Sequence, residues 1–201
     1  NRFALACNMT AGCRRTAETS IPHLSRPAPD WTSTARPVCI STMRMVNTND
    51  LPELTWESPK GNFQSAGKQV SEALGWNSES ASATDRHPFV AEILRVPPGQ
   101  KPYPFHSHSA QWEFYHVLSG QGTVRHKDGM TEIAPGDAFI FRPNEPHQII
   151  NNHSDELVLY VVAHNPIGEY GYFPDSNKWS VSMPESKLLR SEALEYYDGE
   201  E

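Results

Sequence analysis

Gly99-Gln-Lys-Pro-Tyr-Pro-Phe-His106-Ser-His108-Ser-Ala-Gln-Trp-Glu113-Phe-Tyr-His-Val-Leu-Ser-Gly120 sets two histidines and a glutamate at spacings that strands can bring together, and His147 adds a third histidine. Successive side chains of an extended strand point to opposite faces, so His106 and His108, two residues apart, project the same way. Glu113 opens Glu113-Phe-Tyr-His-Val-Leu118, an aromatic and apolar run that reads as a second strand. His147 follows the Pro135-Gly136 turn and begins a further strand-like run to Asn151. A folded sheet can gather these three imidazoles and one carboxylate on one ion. That donor set suits iron, manganese, nickel, zinc, copper or cobalt, and a six-coordinate ion would keep two positions open.

The pair alone is weak, since a random chain with 9 histidines in 201 residues would hold roughly 0.4 His-x-His pairs. The full spacing is stronger, and on it the chain resembles the cupin superfamily. The first cupin motif reads Gly, five residues, His-x-His, three or four residues, Glu, six residues, Gly. His106, His108, Glu113 and Gly120 fit it, while Gly99 stands one residue too early. The second reads Gly, five residues, Pro-x-Gly, two residues, His, three residues, Asn. Gly136, His147 and Asn151 match in register; Arg142 replaces the Pro and Asn144 the Gly. Asn tolerates left-handed backbone, so Asn144 is expected to make the turn, with Pro143 supplying rigidity. The tail from Asn165 to Trp179 extends the likeness to small single-domain, type-2 cupins with an RmlC-like jelly roll, a group that implies no single substrate.

Many short strands, turn punctuation and no long helical pattern predict an all-β fold, a single jelly-roll β-barrel with an N-terminal arm and a C-terminal extension. Residues 1–45 read as a disordered leader, 46–86 as the arm, 87–164 as the cupin barrel and 165–201 as an extension packed on it. Within the arm, Lys68–Leu74 reads as either a short strand or a helical turn and leans to the strand, and 77–84 reads as a solvated loop. Phe89–Val96 is the first full barrel strand, Gly122–His126 and Met130–Ala134 form a hairpin across Asp128-Gly129, and Ala138–Arg142 and Leu157–Ala163 follow. By parity Tyr115 and Val117 face inward with Glu113, and Ile149 and Asn151 face inward with His147. Trp112, Phe114 and His116 then face out.

The chain carries 17 basic and 24 acidic residues, net −7. Residues 1–45 hold six Arg and two acids, so residues 46–201 hold eleven basic and twenty-two acidic residues. The folded part is acidic, which argues against nucleic acid as a partner. No run of eighteen apolar residues suggests a membrane span. The Arg-rich leader reads either as an organelle-targeting segment or as non-native sequence upstream of Met43 or Met45. Prolines 22, 27, 29 and 37 interrupt any amphipathic helix and favour the second, and with it a cytoplasmic location. Its three cysteines, Cys7, Cys13 and Cys39, form no disulfide framework or Cys-x-x-Cys site.

The expected function is that of a metal-dependent enzyme acting on a small organic molecule by isomerase, lyase or oxygenase chemistry. The alternative is a barrel that binds or senses a small molecule without turnover. Tyr115 and Asn151 are the pocket candidates beside the metal ligands His106, His108, Glu113 and His147. Arg125, His126 and Arg142 read as exposed strand-end cations more than as a carboxylate anchor. Outward-facing Trp112 and Phe114, with Trp56 and Trp76 in the arm, suggest a homodimer.

Overall fold

The computed structural model describes residues 43–76, 87–181 and 187–200. Nearly all of the leader and the whole 77–84 loop expected above lie outside these. The strands are β1 (Leu54–Glu57), β2 (Gln64–Gln69), β3 (Phe89–Val96), β4 (Ser107–His108), β5 (Glu113–Ser119), β6 (Gly122–His126), β7 (Gly129–Ile133) and β8 (Ala138–Phe141). They continue with β9 (His147–Ile150), β10 (Leu157–His164), β11 (Tyr170–Phe173), β12 (Lys178–Val181) and β13 (Lys187–Leu189). A single helical turn, α1 (Val70–Ala73), and a 3-10 turn at Pro174–Ser176 complete the set. The fold is all-β, as the strand pattern predicts.

Six strands pair in the order β1-β2-β3-β10-β5-β8, four as β13-β12-β11-β4 and three as β7-β6-β9. The two smaller sheets are spliced by one antiparallel bridge, His106 with His147. Its two hydrogen bonds run from the His106 amide to the His147 carbonyl (3.2 Å) and from the His147 amide to the His106 carbonyl (2.8 Å). The larger sheet faces this composite sheet across one core. Leu94, Val96, Val117, Leu157, Leu159 and Val161 come from one side, and Val124, Ile133 and Ile149 from the other.

Alternation along β5 shows why the sequence pairs this way. Glu113, Tyr115 and Val117 are almost fully buried, while Phe114 and Leu118 are exposed, so one face joins the core and the other does not. Gly120 ends the strand at φ 76°, where a Cβ would lie only 2.1 Å from the Glu156 carbonyl oxygen, so only glycine fits. Asn144 takes φ 65°, the left-handed turn expected of it.

Two local expectations change. Lys68–Leu74 is not one strand: β2 stops at Gln69 and the chain turns into α1. Beyond the Gln69–Glu92 pair β3 has no β2 partner, and the Ser71 hydroxyl instead accepts a 2.7 Å bond from the Ala91 amide. A side chain does the work of the missing strand. Trp76, expected on the surface, is only 5% exposed. The arm therefore extends the larger sheet by β1 and β2 and buries this indole. Among the described residues no helix is long and apolar enough to cross a membrane.

Candidate metal centre

Glu113 is the first residue of β5 and projects from the six-stranded sheet; His106, His108 and His147 belong to the β4 and β9 edges of the facing one. Between the sheets, the donor atoms of His106, Glu113 and His147 lie within 4.8 Å of one another, and all three residues are buried. His147 Nε2 is 2.7 Å from Glu113 Oε2. His108 stands outside the three-residue set but reaches it through the carboxylate, with Nε2 3.3 Å from Glu113 Oε1. The fold thus brings together the four residues singled out by spacing, three tightly and His108 at the margin.

The far nitrogen of each ring is engaged. His106 Nδ1 is 2.9 Å from the Pro104 carbonyl oxygen, and His147 Nδ1 is 3.0 Å from that of Glu145. A carbonyl only accepts, so both Nδ1 atoms carry a proton, and it is Nε2, a lone pair whenever the ring is neutral, that is left for the cluster. His108 Nδ1 meets Glu169 Oε1 at 2.7 Å, and an ionised carboxylate imposes the same tautomer. Ring planes are fixed as well. Phe141 stacks on His147 at 4.0 Å and 4°, and Phe173 on His106 at 6.0 Å and 24°.

Lone pairs of this kind aimed at a buried carboxylate repel unless positive charge sits among them. Either a proton on a ring or a metal ion supplies it. The donor set fits a metal: ligand atoms about 2.1 Å from one ion and at right angles to each other stand about 3 Å apart, and the 2.7 and 3.3 Å separations bracket that value. Histidines that pass their outer N–H to a carbonyl or carboxylate are also the usual form in metal sites.

Around the cluster, Tyr115 donates its hydroxyl to Glu113 Oε2 at 3.1 Å, and Tyr103 Oη lies 3.0 Å from Tyr115 Oη. Asn151, the other pocket candidate, is placed differently. Its amide donates to the Val96 and Asp155 carbonyls, both at 2.8 Å, and its Oδ1 accepts from the His153 amide. Facing inward is therefore not enough; Asn151 is committed to fixing the loop between β9 and β10. Arg125 is no open anchor either. Two of its nitrogens hold Asp175 at 2.7 and 2.8 Å, and the guanidinium lies 3.9 Å over the Phe105 ring. That hydrogen bonding keeps the Asp175 carboxyl below its ordinary range and raises the guanidinium further. Arg142 lies over Trp112, and His126 meets the Thr131 hydroxyl.

The spacing argument missed Tyr103, Phe141, Glu169 and Phe173. Phe141 was within reach, because it continues the β8 run and pairs with Glu113 in register. Glu169 and Phe173 carry no local signal, since they arrive on a tail strand whose pairing with β4 is set by the tertiary fold.

Comparison with known proteins adds to this geometry. Residues 92–163 match the family model described as a cupin domain. The chain carries a cupin domain. A solved structure described as a sugar phosphate isomerase of the cupin superfamily, from Silicibacter pomeroyi DSS-3, is 19% identical with a TM-score of 0.61, covering 76% of this chain and 97% of its own. A candidate sugar phosphate isomerase from Acidithiobacillus ferrooxidans ATCC 23270 is 24% identical with a TM-score of 0.58, covering 69% and 84%. At these identities the likeness concerns the fold. No curated protein matches the chain. The matched segment of the cupin domain runs from Glu92 in β3 to Ala163 in β10 and contains all four candidate donors.

Proposed function

We propose that this protein is a metal-dependent cupin enzyme that isomerises a small hydroxylated or carbonyl-bearing substrate, with His106, His108, Glu113 and His147 as the ligands of one divalent transition-metal ion. One observation carries the reading: His108 and His147 set Nε2 against a single buried carboxylate, His106 brings a donor atom within 4.8 Å of the Glu113 and His147 donors, and all three have Nδ1 held from outside. When bound, such an ion polarises a substrate oxygen as a Lewis acid. The protein's own residues supply the rest. Phe141 and Phe173 hold the imidazole planes and keep water from their flanks. The Tyr103–Tyr115–Glu113 chain can pass a proton between the Tyr103 hydroxyl and the carboxylate edge, as isomerisation requires. The descriptions of the two fold neighbours make sugar phosphates the first substrates to try.

Elemental analysis of the purified chain should find a transition metal near one per chain. The loaded protein is then screened against sugar phosphates, free sugars and small carboxylates, following product formation and oxygen consumption. Isomerised product without oxygen uptake is the expected result. Ligand binding with no turnover across the screen would leave a non-catalytic barrel, and oxygen uptake would move the chemistry to the oxygenase class.

We further propose a homodimer through the outer face of the six-stranded sheet, where Val162, Phe114 and Ile140 lie in register beside Trp112. Phe114, Ile140 and Trp112 are 37%, 49% and 45% exposed, an apolar stripe that a second copy would cover. Light scattering should return twice the 22.6 kDa chain mass; a monomer at micromolar concentration overturns this.

A further inference from the structure

We infer that Glu169, from the C-terminal extension, is a positioning residue of the metal centre: it sets the tautomer and direction of His108, so the centre is complete only when the β11–β12 hairpin is docked. This rests on the metal reading above, and it assigns to the tail a part in the site that the two sequence motifs do not contain.

The geometry differs between the three histidines. His106 and His147 give their Nδ1 protons to backbone carbonyls two residues upstream, in the segments that lead into β4 and β9, so their orientation is built in locally. His108 instead meets a side chain 61 residues on, at 2.7 Å. An amide in its place could donate to Nδ1 and reverse the tautomer, turning N–H instead of a lone pair toward Glu113. A carboxylate enforces the productive tautomer and adds negative charge that makes Nε2 a better donor.

Glu169 also reaches His108 from a framed position. Just past it, the Tyr170 amide donates to the Ser109 hydroxyl and the Tyr170 carbonyl accepts from the Ser109 amide, both at 2.9 Å. Gly171 and Tyr172 then pair with His108 and Ser107. Farther along, Phe173 stacks on His106 and Asp175 is gripped by two of the Arg125 nitrogens. A hairpin needed only to cover apolar surface would not need a half-buried carboxylate there; the Glu169 side chain is 17% exposed and His108 12%.

The test uses the full chain with Co2+ as the probe, read by calorimetry and by its visible absorption, and compares wild type with Glu169→Gln, Glu169→Ala and Glu169→Asp. Outer ligand partners commonly account for about 10- to 100-fold in metal affinity. That loss is expected for Gln and Ala, with a changed Co2+ spectrum, and partial recovery for Asp. Asp175→Asn, which loosens the same hairpin but leaves Glu169, should keep the wild-type spectrum. Unchanged affinity and spectrum in Glu169→Ala overturn the inference, as does an equal change in Asp175→Asn, since the tail would then act only as packing. Nitrogen-15 NMR of the metal-free protein gives a second readout. His108 should be Nδ1-protonated in wild type and a tautomer mixture in Glu169→Ala; a mixture in wild type also overturns it. Wild-type protein that ignores Co2+ yet shows the Nδ1-protonated His108 would remove the metal reading while upholding the Glu169 contact.

Discussion

The two ends of the space between the sheets are built on opposite principles, and β5 passes through both. At one end Val117 packs with Leu94, Val96, Leu157 and Leu159, a wholly hydrocarbon environment. At the other, Glu113 is as deeply buried but meets imidazoles and a phenol. The apolar end stabilises the fold by removing carbon from water. The polar end costs desolvation that only hydrogen bonds or a bound cation can offset. One end therefore holds the sandwich together, and the other is the part that suits the proposed metal ion.

The sharpest test of that division is to damage the apolar end alone. Leu159→Ala, at a fully buried site, should lower stability by about 2–5 kcal/mol. Metal affinity of the folded fraction should stay within twofold, as read by urea denaturation and calorimetry. A large loss of metal binding would mean the two ends are not separable.

The reciprocal change is Glu113→Gln, which keeps the shape and removes the charge. Metal affinity should fall at least tenfold, about 1.4 kcal/mol or more, while the melting temperature without metal stays the same or rises. If the metal-free protein instead unfolds many degrees lower, Glu113 is holding the fold rather than serving a site.

A smaller effect is expected at the rim, where Arg125 clamps Asp175. Both side chains are substantially exposed, 33% and 54%, so Asp175→Asn should cost about 0.2–1 kcal/mol near neutral pH. Because the Asp175 carboxyl is held below its ordinary value, chiefly by the Arg125 hydrogen bonds, the clamp's contribution is present above the unfolded value near 3.8 and lost as pH falls through the lower folded one. Acid titration of stability should show wild type and Asp175→Asn converging below that range. Curves that stay parallel through it would show the clamp contributes nothing.

The smallest change concerns the turn beside His108, where the Asn144 amide donates to the His108 carbonyl at 2.7 Å. Asn144→Gly keeps that bond and relieves the left-handed conformation, so stability should move by only a few tenths of a kcal/mol. Asn144→Ala should cost about 1 kcal/mol. Equal effects in thermal denaturation would mean the backbone conformation is not what Asn144 is there to supply.

These ends were unequally legible in the sequence. Strand alternation placed Glu113, Tyr115 and Val117 on one face and Phe114 on the other, because the pleat leaves a period of two in the residues themselves. The same alternation put His106 and His108 on one face, while their meeting with Glu113 and His147 was what the cupin-like spacing implied. Parity could not say how far along the sandwich a residue lies, and so it put Asn151 in the pocket when its amide is tying a loop. Nor could it find Glu169, whose contact with His108 is fixed by the register of β11 on β4. The short turn at Val70–Ala73 was legible only as the alternative to a strand, since the need for it arises where β3 loses its β2 neighbour.

The backbone bridge between His106 and His147 gives the site a digital character. These two residues are hydrogen-bonded partners across the seam of two sheets. A slip of β9 by one residue would rotate His147 to the outer face, leaving Gln148 or Pro146 at the seam. His106, His108 and Glu113 lie on other segments, so the slip removes one donor outright and not by degrees. Correct closing of the seam is therefore a condition for His147 to join the donor set.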